Sequence, residues 1–345
     1  MADLLVNQLN EQKRKVAFDT YDITVQQLIS MVYNDQIDIA PEYQRQYRWD
    51  IQRQSQFIES LFLGIPIPSL FMATNKDGTW ELVDGVQRLS TLIHFAGDIN
   101  ARKKLNLSTA LTLNNLEKLD YFNGYRFDRL PSSVQLQFNL RPIKVTTLND
   151  KSDKVVRFDL FERLNTGGVV LSNQEIRACV FRGKFNDLLE ELAQDPDFTT
   201  VVKLSKREEQ DRTREEYVLR FFAFYHRYKD FEHSVIEFLN SYMEEQQKSV
   251  KYPEFRNLFR KTFSQLAQLF PNGLVRKQNN TPVNLYEGVA VGAALALKRV
   301  PRLRRSGLDT WLNSKELTKF TTAATNTPTQ VSGRIEYCEA KFAGL

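Results

Sequence analysis

Thr79-Trp80-Glu81-Leu82-Val83-Asp84-Gly85-Val86-Gln87-Arg88 is the stretch on which the fold turns. Thr79–Val83 is short, alternating and partly β-branched, the pattern of a strand. From Leu89 the period changes: Leu89, Leu92, Ile93 and Ala96 recur at i, i+3, i+4 and i+7, one buried face of a helix. A strand therefore hands over to a helix at Asp84–Arg88. Gly85 at such a junction lets the backbone take a positive φ or come close to a ligand. The first-turn amides are then available to an anion, and Gln87 and Arg88 add donors. The competing account is a plain strand–helix turn in which Arg88 pairs with Asp84; these residues alone leave both open.

Outward from this junction the chain alternates strands and helices. Residues 1–20 read as a loose lead-in or a short helix, Ile23–Tyr33 as a helix and Ile37–Ile39 as a short strand. Asp50 caps a helix over 51–63 that stops at Gly64, and Pro66 and Pro68 hold the next stretch extended. Leu70–Met72 and 79–83 make a hairpin around Asn75–Gly78; 101–140 holds short helices, and Ile143–Thr147 is another strand. After Lys154 helical periodicity dominates: 154–164 runs into a turn at Asn165–Gly168, and Ser172 with Glu175 forms a capping box. Helices follow at 214–228, 234–247, 254–270 and 284–299, and the Thr- and Asn-rich 323–330 reads as a loop. Gly288 and Gly292 place small residues one turn apart in an apolar helix, which implies close helix packing. The expected class is α+β: a small mixed sheet with helices over 1–150, then a mostly α-helical domain over 151–345.

Across 345 residues, 42% hydrophobic and 26% charged content describes a globular chain with a sizeable core. No apolar run reaches the length of a membrane span, so no membrane partner is expected. Met1–Leu5 lacks the basic-then-apolar layout of a leader, and Cys179 and Cys338 cannot form a disulfide framework; both suit a reducing cytoplasm. The net charge of +5 permits an anionic partner without requiring one. Its dense clusters, Lys13–Lys15, Arg102–Lys104, Lys203–Arg207 and Lys298–Arg305, read first as solvated helix faces. The absence of Gly-x-x-x-x-Gly-Lys-Ser/Thr excludes a P-loop NTPase. His94, His226 and His233 show no metal-ligand spacing, and His94 reads as a core-edge histidine.

Two further segments carry chemistry. Tyr43-Gln44-Arg45-Gln46-Tyr47-Arg48-Trp49 packs three aromatics, two guanidiniums and two amides together. Arginine forks match phosphates and aromatic faces stack on bases, so Tyr47, Arg48 and Trp49 are candidate DNA contacts. A strand edge with alternating aromatics is the simpler account of the same string. Glu162, Arg163, Asn165, Thr166, Gly167 and Gly168 close a helix with two glycines, a plain C-cap or an anion-binding nest.

Pro41–Trp49, Phe62-Leu63-Gly64-Ile65-Pro66-Ile67-Pro68, Asp84–Arg88 and Arg163–Gly168 with Gln174-Glu175-Ile176-Arg177 occur in the order of a known family. They resemble the N-terminal domain of the GmrSD type IV restriction endonucleases, a ParB-like superfamily, most closely over 38–181. The family's usual first Gln of Asp-Gly-Gln-Gln-Arg is Val86 here. The resemblance implies a ParB/sulfiredoxin-like sheet and a nucleoside-triphosphate-binding, hydrolysing protein of a DNA-directed anti-phage defence. On that reading Tyr43, Gln44, Arg45, Gly85, Glu162, Arg163, Asn165, Thr166, Gly167 and Gly168 bind nucleotide, with Arg45, Arg88 and Arg163 neutralising phosphate. Asp84 binds Mg²⁺ or orients water, and Gln44 or Gln87 positions the nucleophile. The alternatives are a ParB-like DNA nuclease and a non-catalytic sensor of modified DNA. Further expected partners are DNA, a separate nuclease or effector subunit, and a second copy of the chain.

Overall fold

The structure is a computed structural model that describes residues 5–6, 18–39, 49–75, 77–148, 158–159, 162–163, 172–206, 208–248, 252–276, 279–322 and 325–345. The chain forms two compact units, Met1–Val170 and Leu171–Leu345. The sequence reading drew its division at 150.

The first unit is built on a mixed five-stranded sheet. Its strands are β1 (Phe18–Thr24), β2 (Ile37–Asp38), β3 (Leu70–Thr74), β4 (Trp80–Asp84) and β5 (Pro142–Leu148), in the order β1-β5-β3-β4-β2. β1 runs antiparallel to β5 from Phe18↔Leu148 to Thr24↔Pro142, and β5 runs parallel to β3 with Leu70 opposite Val145. β3 and β4 form the expected antiparallel hairpin, with a register shift at Phe71/Met72. At residues 18–20, β1 corrects the expectation of a loose lead-in or a short helix. As an edge strand it exposes Phe18 and Tyr21, so its sequence lacks the buried alternation that marks a half-covered strand.

Helices α1 (Val25–Tyr33), α2 (Ile51–Leu63), α3 (Val86–Ala96), α4 (Ile99–Lys104) and α5 (Ser132–Asn139) complete this unit. Asp50 accepts the Arg53 amide at 2.8 Å and Gly64 ends α2 at φ 77°, as the sequence predicts. Leu28, Ile58, Leu70, Leu82, Leu89, Leu92 and Val145 are fully buried between sheet and helices. The weakly periodic 101–140 segment is ordered by non-local partners instead. Phe138 lies 4.9 Å from Phe62 and 5.3 Å from Phe95, ring centre to ring centre. Buried Glu59 accepts the amides of Lys118 and Leu119 at 2.7 and 2.8 Å.

The second unit is helical: α6 (Asn173–Val180), α7 (Lys184–Ala193), α8 (Pro196–Val201), α9 (Thr213–Arg227), α10 (Val235–Gln246), α11 (Tyr252–Leu269), α12 (Val283–Ala296), α13 (Leu308–Leu312), α14 (Lys315–Thr321) and α15 (Pro328–Ala343). The Ser172–Glu175 capping box opens α6 as expected. Within 323–330, residues from Pro328 onward are helix rather than loop, because Thr327 caps α15 and Pro328 takes the first helical position, where its missing N–H costs nothing. Gly288 and Gly292 let α12 press against α15; a Cβ at Gly292 would lie 2.7 Å from the Cys338 Cβ. Cys179 and Cys338 are both buried thiols. Among the described residues no helix is long and apolar enough to cross a membrane.

Candidate functional site

β4 ends on Asp84, Gly85 turns the chain at φ 106°, and α3 begins at Val86. Only glycine fits this turn. The left-handed φ strains any L side chain, and a Cβ here would overlap Leu70 Cδ2 on the neighbouring strand. Gly85 provides no side-chain cap for α3.

Arg88 folds back over this turn. Its Nη2 donates to Asp84 Oδ2 at 2.6 Å, while Nη1 donates to the Ser69 carbonyl at 2.8 Å and to the Pro68 carbonyl. The Arg88 side chain is 12% exposed and that of Asp84 37%. The guanidinium thus latches the extended Pro66–Ser69 arm to the junction. The Asp84–Arg88 pairing of the plain-turn account is present, with two carbonyl bonds added to it.

Gln87 reaches elsewhere. Its Oε1 accepts the Trp49 amide at 3.0 Å, and the Trp49 carbonyl accepts Gln54 Nε2 at 2.7 Å. Because main-chain groups fix the orientation of both amides, Gln54 must present its oxygen to His94 Nδ1, 2.7 Å away. Burial, helped by the Arg102 charge, holds the imidazole below its ordinary value, against a hydrogen bond to the Thr109 backbone. The Trp49 ring meets Phe57 edge-on at 5.6 Å.

Of the candidate residues, Asp84, Gly85, Gln87 and Arg88 sit together at the junction, with Trp49 bound to it through Gln87. Tyr43, Gln44, Arg45, Tyr47 and Arg48 lie outside the described residues, as do Asn165, Thr166, Gly167 and Gly168. Glu162 and Arg163 are exposed in a helical stretch. Among the described residues no group of three or more His, Cys, Asp or Glu side chains could hold a metal by itself. The Arg102–Lys104 cluster is partly held internally: Arg102 donates to the Gly97 carbonyl at 2.6 Å, and Lys104 to that of Tyr33 at 2.6 Å.

Sequence reasoning missed a second polar centre, in the helical unit. Arg177 Nε donates to Asn240 at 2.8 Å and its Nη1 to Glu216 at 3.0 Å. Arg220 holds the other Glu216 oxygen at 2.7 and 2.9 Å and Glu287 at 2.6 Å, and Glu287 also pairs with Arg334. Burial would raise the Glu216 carboxyl, but Arg220 and then Arg177 outweigh it and keep it below the usual range. The Glu216–Arg220 spacing of one turn was the available signal; the partners on other helices left none.

Residues 25–182 match the family model of the GmrSD restriction endonuclease, N-terminal domain. This chain carries that domain. The GmrSD-type segment includes α1, the β2–β5 sheet, the Asp84–Arg88 junction and α6, whose Arg177 enters the ion cluster. No curated protein matches the chain, and no solved structure does.

Proposed function

We propose that this chain binds a nucleoside triphosphate and hydrolyses it, within a DNA-directed restriction and anti-phage system. The observation that carries the reading is the junction: a part-exposed Asp84 carboxylate, fixed by Arg88, at the N-terminus of α3, where Gly85 provides no side-chain cap. The restriction-endonuclease family of residues 25–182 supports the DNA-directed setting.

The residues divide the work by their partners. Arg88 is bound to Asp84, Ser69 and Pro68, so it aims the carboxylate and braces the arm. Gln87 holds the Trp49 amide; Tyr43, Gln44 and Arg45 are the nucleotide contacts, and Arg163 a further phosphate partner, by family resemblance. Asp84 alone suits a Mg²⁺ carried in with the phosphates, since that ion keeps several waters and needs only one or two protein carboxylates. When bound, Mg²⁺ draws charge from the phosphate oxygens.

One observation favours a second reading. Arg88 donates to two carbonyls as well as to Asp84, which suits a purely structural clamp in a non-catalytic sensor of modified DNA. A panel of NTPs, with and without DNA and Mg²⁺, followed for phosphate release and for nicking, separates these. Phosphate release without nicking supports the hydrolase. DNA binding without phosphate release, unaltered in Asp84→Asn, supports the sensor. Metal-dependent nicking lost in Asp84→Asn would overturn both.

A further inference from the structure

The helical unit contains a cleft of about 850 Å³ beside the buried ion cluster. α9 contributes Glu216, Tyr217 and Arg220, and the 275–283 segment contributes Arg276, Asn280 and Val283. All of its lining residues belong to the second unit. Its volume falls within the range of about 300–1,000 Å³ usual for small-molecule sites.

The charges in the cleft are unevenly engaged. Glu216 is held on both oxygens, by Arg177 and Arg220, and Glu208 is tied to Ser205 at 2.6 Å. Arg220 is kept permanently cationic by Glu216 and Glu287, which overcome the opposing effect of burial. Arg276 is different. Its Nη2 is buried and has no hydrogen-bond partner among the described residues. An unpaired buried guanidinium nitrogen is costly, and the planar fork it belongs to fits a phosphate or carboxylate. Val283 and the ring of Tyr217 give the same cleft apolar surface, and Asn280 adds an amide, features that a bare inorganic ion would not use.

We propose that this cleft binds a small organic anion of nucleotide size, its phosphate or carboxylate held by Arg276 with Arg220 behind it. The phosphate and carboxylate sources are separated by the probes themselves.

The test is calorimetric titration of the full chain with AMP, succinate and inorganic phosphate at constant ionic strength. AMP or succinate should saturate one site, at least tenfold more tightly than inorganic phosphate. Arg276→Gln, which leaves the ion cluster intact, should weaken that binding tenfold or more with an unchanged thermal transition. Asn280→Ala should weaken it in the same direction and serves if Arg276→Gln is unstable. Asp84→Asn should leave it unchanged. Absence of saturation by both AMP and succinate overturns the proposal. So does full affinity in both cleft variants, or loss confined to Asp84→Asn, which would place the binding at the β4–α3 junction.

Discussion

Arg88 Nη2 lies 2.6 Å from Asp84 Oδ2 across the first turn of α3, and the same guanidinium holds the Ser69 carbonyl at 2.8 Å. One side chain thereby joins the strand end, the helix start and the proline-bearing arm. Arg88→Ala removes all of these bonds, so it should destabilise the first unit by about 1–3 kcal/mol, measured by denaturant titration. If the chain hydrolyses NTPs, the rate should fall on the order of 10³-fold as Asp84 loses its brace. Arg88→Lys keeps the charge but not the fork and should restore little of either.

Gly85 and Gly78 form a matched pair of tests. Both have positive φ, 106° and 85°, but a Cβ at Gly85 overlaps Leu70 whereas one at Gly78 meets nothing within 4 Å. Gly78→Ala should cost only the left-handed strain, about 1–2 kcal/mol. Gly85→Ala should cost that plus about 1–3 kcal/mol of overpacking, read as a larger drop in the denaturation midpoint.

His94 sets a pH dependence. Burial holds its folded-state value below the ordinary 6.5 of a free imidazole, so below that pH the unfolded chain takes up a proton that the folded chain resists. This contribution to stability is complete above 6.5 and is lost as the pH falls toward the folded value. Thermal melts from pH 7.5 down to about pH 5 should show the parent losing more stability than His94→Gln, whose amide does not titrate. Parallel profiles for the two proteins would exclude the effect.

Glu287 is 1% exposed and pairs with Arg220 at 2.6 Å and with Arg334. Glu287→Ala leaves two buried guanidiniums short of a counter-charge. A loss of about 3–5 kcal/mol is expected in the unfolding of the helical unit. Replacement of the surface pair residue Glu209, which bonds Arg214 at 2.9 Å, should change stability by less than about 1 kcal/mol.

Local signals carried the reading of α2, α3, the β3–β4 hairpin and the α6 capping box, because each is written in contiguous residues: Asp50 and Gly64, the Leu89–Ala96 stripe, Ser172 and Glu175. β1 escaped because its partner, β5, begins at Pro142 and because its exposed edge residues show no apolar alternation. The partners of Gly288 and Gly292 were equally hidden: the spacing implies a close neighbour but cannot say that it is α15. At the junction, residue types pointed to Asp84, Gln87 and Arg88. That Gln87 grips the Trp49 amide, and Arg88 the Pro68 and Ser69 carbonyls, depends on contacts between distant parts of the chain.

Helix α6 belongs both to the segment matched by the family model and to the second compact unit. Every residue of Gln174–Val180 is buried, and Arg177 takes its partners from α9 and α10. The stretch that sequence comparison marks as a module is therefore not a folding module. Excised at residue 182, it would keep α6 while leaving behind the helices that cover it, exposing Ile176 and stripping Arg177 of Glu216 and Asn240. Any gene fusion or natural exchange that preserves this architecture should break before that helix, near the division of the two units at Val170/Leu171, not where the resemblance stops.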